Sequence, residues 1–597
     1  MKIQNIFRYI PQSLPWVAVI VTGILLLLQH TDFLYRAQEQ SLFLPTEQFF
    51  REAAMKPGGM LTYAAAFLTQ FFYYPVLGVG ILVLLWAVSV YLLMKGARLE
   101  KGEAGMLTLV PISLYSVISQ IGYSIFYIKL QGLLVAPTIA VFLISVLVYL
   151  VSLMRGYRQT IFIGVISIIA YPIMGAYGLL ASLVVALCSQ KTIINGGVAI
   201  AVSFVSCMIF YYTHTTVMMS QMIYAALPCL YIAKEWQAVY AVPYIGIVIG
   251  LLVPLMVKKI EADKIKVYVT LVVSVLSIGV LLKCNYNNNN FRREIQIYRA
   301  IDEGDWYKVL DIVDDSKRLF NPTRQIAFAR NIALWRVGKL GDYAFTYTNE
   351  TQKSRAPFDL SLPQVCGSQQ YYISGMPYLA YRWAMETCVS SGWDVEGLKY
   401  MIKSAITVGE YRLALRYIEV LKQTLFHKDW AEYYYELAKE PSLIKERDKE
   451  IMWVRSLITY WDTLESENGN TTENVYDYYA SNNVNDSKAQ EFGMISAMIK
   501  RDHKLFWERF TQYLTLNRDI KDVPKHYQEA ALLMAMLDSD DEKLNLPFSD
   551  TIRQNFEMFR RAYEQTEHLQ ADQQSAVLCS QFGRTYYYYY TLNRGIL

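Results

Sequence analysis

Residues 267–297 read VYVTLVVSVLSIGVLLKCNYNNNNFRREIQI. An apolar run ends at Lys283, a tract containing Asn285, Asn287, Asn288, Asn289 and Asn290 follows, and charged sequence begins at Arg292, Arg293 and Glu294. An asparagine tract offers no apolar face to bury, so it predicts a linker over 285–291. Before it, in 1–284, long apolar runs recur between short polar breaks. After it, in 292–597, charges fall every few positions and no run reaches membrane length. The chain therefore reads as all-α, with a polytopic transmembrane helical bundle of about nine spans followed by a helical-repeat domain.

The 597 residues are 54% hydrophobic and 18% charged, with a net charge of +4 spread over both halves. No basic stripe exists, so nucleic acid is excluded as a partner. The seven cysteines make no C-x-x-C pair, so no zinc pattern is present. The distal half carries no Walker sequence, no G-x-S-x-G and no H-E-x-x-H. Any chemistry is accordingly expected at the membrane face.

The expected spans are 13–29, 74–95, 105–119, 133–154, 159–172, 175–189, 196–212, 240–257 and 267–283. Alternate breaks carry Lys95, Arg98 and Lys101, then Arg155 and Arg158, then Lys191, then Lys258, Lys259, Lys264 and Lys266, and the N-terminus carries Lys2 and Arg8. By the positive-inside rule these are cytoplasmic, and the first run reads as a retained signal anchor. The longest breaks on the other side, 30–73 and 213–239, and the distal domain 292–597 then lie outside the cytoplasm. Two short spans meet at Pro172 and Gly175, which suits either a tilted hairpin or a re-entrant pair.

Downstream of the linker, Gly304-Asp305-Trp306 recurs as Gly341-Asp342-Tyr343 and as Gly409-Glu410-Tyr411, at spacings of 37 and 68 residues. The pattern predicts helical hairpins in which the glycine ends one helix in the left-handed conformation and the acid opens the next. It resembles tetratricopeptide repeats, whose period is roughly 34 residues. Abundant tyrosines fit either solenoid packing or a groove for peptide or sugar.

The outer loop 30–73 begins HTDFLYRAQEQSLFLPTEQFFREAAMKPG over 30–58, mixing aromatic residues with Asp32, Arg36, Glu39, Glu47 and Arg51. This predicts an amphipathic segment lying in the membrane interface. A carboxylate there could take a proton from an acceptor hydroxyl or bind a divalent metal, and cations could hold a phosphate. Such charges also serve as helix caps or headgroup contacts. No acid lies mid-span, which argues against an ion-coupled transporter.

In plan, this loop resembles the GT-C superfamily of polyprenyl-phosphate-dependent glycosyltransferases and oligosaccharyltransferases, in which the first outer loop carries an acidic residue and a soluble domain often ends the chain. The match is Asp32, with Glu39 a further acid, where many members show an acidic pair. The resemblance implies Asp32 and Glu39 as catalytic, Arg36, His214 and Lys234 as donor-phosphate contacts, and Asp32 as a ligand for Mg or Mn. It further implies a polyprenyl-linked glycan donor, an extracytoplasmic protein acceptor and a bacterial inner-membrane location with a periplasmic distal domain. The chain is also similar to uncharacterised bacterial multi-span proteins with solenoid C-termini. The alternative from another class is a membrane-anchored scaffold for envelope proteins.

Overall fold

The computed structural model describes residues 2–99, 101–126, 132–213, 222, 225–227, 234–258, 263–314, 322–346, 362–458, 472–517 and 523–592. The fold is all-α. In the first half the helices are α1 (Lys2–Gln29), α2 (Thr31–Glu39), α3 (Glu47–Ala54), α4 (Gly59–Thr69), α5 (Pro75–Gly96), α6 (Leu109–Ser119), α7 (Ala136–Leu153), α8 (Tyr157–Met174), α9 (Ala176–Leu187), α10 (Thr192–Thr213), α11 (Lys234–Val257) and α12 (Asp263–Lys283). Six of them, α1, α5, α7, α8, α10 and α11, are long and apolar enough to cross a membrane. The other three expected spans coincide with shorter apolar helices, Glu103–Ser119, Ala176–Leu187 and Tyr268–Lys283. Of the two short spans, α8 runs on through Pro172 to 18 residues, whereas α9 has 12. Twelve residues rise about 18 Å, against a hydrocarbon core of about 30 Å.

The buried apolar side chains form two large cores. One joins Val19, Leu26, Trp86, Val110, Ile144, Val185 and Leu251 from the apolar helices. The second joins Ile332, Ile402, Leu437, Phe506, Leu533 and Tyr587 from the distal helices. Two stretches of chain feed both. Helix α2 puts Phe33, Leu34 and Ala37 into the first core, and Leu42, just beyond its end, enters the second. Helix α13 (Asn289–Asp302) puts Phe291 and Ile295 into the first and Ile297, Ala300 and Ile301 into the second.

The asparagine tract is an ordered helix entry. Asn288 accepts hydrogen bonds from the Asn290 and Phe291 amides at 2.9 and 3.2 Å, and the Tyr286 amide donates to the Ser119 carbonyl at 3.2 Å. Asparagine is among the best N-caps, which explains why a polar tract begins a helix here.

The distal helices continue with α14 (Trp306–Val313), α15 (Arg324–Arg336), α16 (Leu362–Ile373), α17 (Pro377–Ser391), α18 (Val395–Val408), α19 (Tyr411–Leu421) and α20 (Lys428–Lys439), and further helices follow to Leu592. The expected hairpin turn is present at Gly304, with φ +71°, and at Gly409, with φ +90°. The copy at Gly341 differs, because Gly338, with φ +68°, makes the turn three residues earlier. Two further turns of the same kind use Arg501 (φ +56°) and Ser539 (φ +54°) in the left-handed position. In all four glycine-or-substitute turns that precede an acid, the acid's amide bonds an alanine carbonyl five residues back: Asp305 to Ala300, Glu410 to Ala405, Asp502 to Ala497 and Asp540 to Ala535, at 2.8–3.1 Å. That bond satisfies a carbonyl that a helix end leaves open.

Candidate functional site

At the edge of the first core, on the side that faces the second, the ends of four elements enclose a partly open cavity of about 180 Å³. The end of α1 and the residue after it supply Leu28, Gln29 and His30, and the first turn of α2 supplies Asp32 and Phe33. The end of α6 and the turn after it supply Ile118, Ser119 and Gly122. Tyr286 and the first half of α13 supply Phe291, Arg292, Ile295 and Gln296. Gly122 has φ +50°, and a Cβ there would stand 2.4 Å from the Tyr286 ring. Only glycine lets that ring close the wall.

The cavity's polar groups are of mixed kind. Asp32 accepts from the Arg299 guanidinium at 2.9 Å. Arg292 forms no ion pair among the described residues. Burial, and after it the charge of Arg292, bring the His30 imidazole down to about 4, so it is neutral at physiological pH. His30 also stands 3.4 Å from the Tyr115 hydroxyl. A cavity with an unpaired guanidinium, a neutral imidazole and a carboxylate at its edge is suited to an anionic headgroup and to proton transfer beside it.

The far end of α2 is sealed into the distal core. Arg36, 2% exposed, pairs with Glu396 of α18 at 2.7 Å and lies 3.6 Å over the Tyr298 ring. Glu39, 1% exposed, receives both of its hydrogen bonds from Lys399 at 3.0 Å. The Gln38 amide donates to Nε2 of His427 at 2.5 Å. Burial, then the charge of Lys399, hold His427 well below its ordinary value. Burial raises the Glu39 carboxyl and the Lys399 ammonium draws it back only in part. Aromatic contacts reinforce the seam, with Tyr73 stacked on Phe426 at 5.6 Å.

The expected interfacial amphipathic segment is thus divided between two environments. Helix α2 is largely buried because its charges find partners on the distal helices, while α3 has no buried residue. Of the residues singled out from sequence, Asp32 lies on the cavity, whereas Arg36 and Glu39 do not line it. Arg51 is exposed and pairs with Glu47. His214 lies outside the described residues, as does the side chain of Lys234 at the start of α11. The groups around Asp32 do not fit a divalent metal, since its carboxylate is held by the Arg299 guanidinium and the cavity wall it shares carries the cation Arg292. Among the described residues no group of three His, Cys, Asp or Glu side chains stands together.

Sequence reasoning passed over Arg292 and His30. Each sits at the very end of an apolar run or linker, where a lone polar residue reads as a boundary marker. The partners Glu396 and Lys399 had no local signal, being 360 residues from α2.

Residues 8–593 match a family described as a family of unknown function (DUF6057), and the chain belongs to it. No curated protein and no solved structure matches the chain.

Proposed function

We propose that this DUF6057 member is a membrane-embedded transferase that takes a sugar or glycan from a polyprenyl-phosphate-linked donor and passes it to an extracytoplasmic acceptor, a protein in the reading the exposed distal helices favour. The observation that carries the reading is the cavity at the bundle's end, with Arg292 in no ion pair among the described residues, His30 neutral and Asp32 at its edge. In this assignment the donor phosphate sits against Arg292 and His30. The acceptor nucleophile attacks the anomeric carbon, the bond from that carbon to the phosphate oxygen breaks, and Asp32 receives the acceptor's proton. Arg292 offsets the negative charge that grows on the leaving phosphate. Arg36 and Glu39 hold α2 rather than contact the donor.

Helix parity supports an extracytoplasmic distal domain with nine crossings. Helix α2 packs against the distal helices, so the chain between residues 40 and 290 crosses an even number of times. The long apolar helices in that interval are α5, α7, α8, α10 and α11, an odd set. Adding the three shorter apolar helices restores an even count, which is consistent with the nine-span reading, and the positive-inside pattern supports a cytoplasmic N-terminus in a bacterial inner membrane. The distal hairpins, read as tetratricopeptide-like, would hold the acceptor.

The non-enzymatic scaffold is favoured by a different observation: two of the loop's charged residues, Arg36 and Glu39, are spent on tying the halves together. The two readings separate in cells with and without the chain, by mass spectrometry of glycopeptides and lipid-linked glycans. The transferase predicts loss of protein-linked glycan with accumulation of its lipid-linked precursor, and the same phenotype for Asp32→Asn at normal abundance. Unchanged glycans in both fractions would leave the scaffold.

A further inference from the structure

The cavity is walled by two helices that are both anchored somewhere else. Helix α2 spans nine residues, about 13 Å at the rise of an α-helix. Its first turn lines the cavity with Asp32, and its last turn is held by Glu396 and Lys399 of α18. Helix α13 repeats the arrangement, with Arg292 on the cavity and Tyr298, one residue before Arg299, under the Arg36 guanidinium. The Arg299–Asp32 bond closes the frame between the two helices.

We propose that Glu396 and Lys399 of the distal domain are positioning residues for the cavity, so that the membrane site is complete only when the distal domain grips the far end of α2. This rests on the reading above that the cavity is the working site. A nine-residue helix is too short to bend away a displacement, and a shift of its last turn therefore reaches Asp32 and the adjoining His30. The grip is sensitive to single changes because its charges are dehydrated. The Lys399 and Glu39 side chains are 6% and 1% exposed, and removing one partner leaves the other charged group buried without compensation. Asp302, Lys403, Glu450 and His427 also face this group of charges, so a lost partner is not replaced by water without rearranging α2.

The test is amide hydrogen exchange of the full chain in lipid nanodiscs, which needs no donor and so is independent of whether transfer occurs. Lys399→Met is expected to speed exchange in residues 30–34 by about tenfold or more, with 525–537 in the distal core and α18 itself still protected. Lys399→Arg and the double exchange Glu39→Lys with Lys399→Glu are expected to bring residues 30–34 back toward wild-type rates. Unchanged exchange at 30–34 in Lys399→Met would overturn the proposal, and so would an equal rise across 395–408, which would reduce the pair to a stabiliser of α18. If Lys399→Met loses protection at 525–537, Glu396→Gln is read by the same criteria.

Discussion

Glu294, on the cavity helix α13, is buried and receives a hydrogen bond from the Thr323 hydroxyl. Burial raises its carboxyl to about 7, with the Thr323 bond working in the opposite direction. A group whose folded value lies above its unfolded one keeps its proton longer in the native state, so the unfolded state binds fewer protons between about pH 4.5 and 7. Its contribution to stability is full below that window and is lost as pH rises through it. Denaturant unfolding of the purified chain should therefore show stability falling between about pH 4.5 and 7, with Glu294→Gln removing on the order of 3 kcal/mol of that fall. Glu529 and Glu491 are raised to about 7 by burial as well, so the effect is read as a difference from wild type. At this scale the sequence was partly legible. The position of Asp32 on the cavity wall follows from its place next to the end of a span, but the surroundings of Arg36 and Glu39 depend on partners brought together only by the fold. No local periodicity encodes them.

Among elements, the recurrent hairpin turn was legible where glycine marks it and hidden where it does not. The left-handed residue is glycine at 304 and 409 but arginine at 501 and serine at 539. The feature shared by all four is the alanine five residues before the acid, which leaves room for the chain to fold back over the helix end. Gly341 imitates the pattern for a packing reason, since a Cβ there would stand 2.5 Å from the Cβ of Pro524. At Gly409 no atom lies within 4 Å of the position a Cβ would take. Gly409→Ala therefore isolates backbone strain, and calorimetric or denaturant unfolding should show a loss of about 1–2 kcal/mol. Ser539→Gly should shift the same measurement the other way, by up to about 1 kcal/mol. A destabilised Ser539→Gly would show that the serine side chain, not the backbone, governs that turn.

For the molecule as a whole, the division into an apolar and a polar half was legible from composition, because membrane-length runs and their absence are statements about solvent. The meeting of the halves was not. The asparagine tract looked like a linker, and it is a capped helix start that carries Phe291 into one core and Ile297 into the other. The cavity exists only because of this continuity, with α1, α2 and α6 on one side and α13 on the other. Loss of the distal helices would remove Arg292 and Gln296 from its wall as well as the grip on α2. The most direct measurement is native mass spectrometry of the full chain in nanodiscs containing a polyprenyl phosphate, comparing wild type with Arg292→Gln and with the exposed control Arg51→Gln. The predicted result is retention of the lipid by wild type and Arg51→Gln, and binding at least about tenfold weaker in Arg292→Gln, as expected for one lost charge-assisted contact. Equal binding by all three, or none by wild type, would contradict a phosphate site in the cavity.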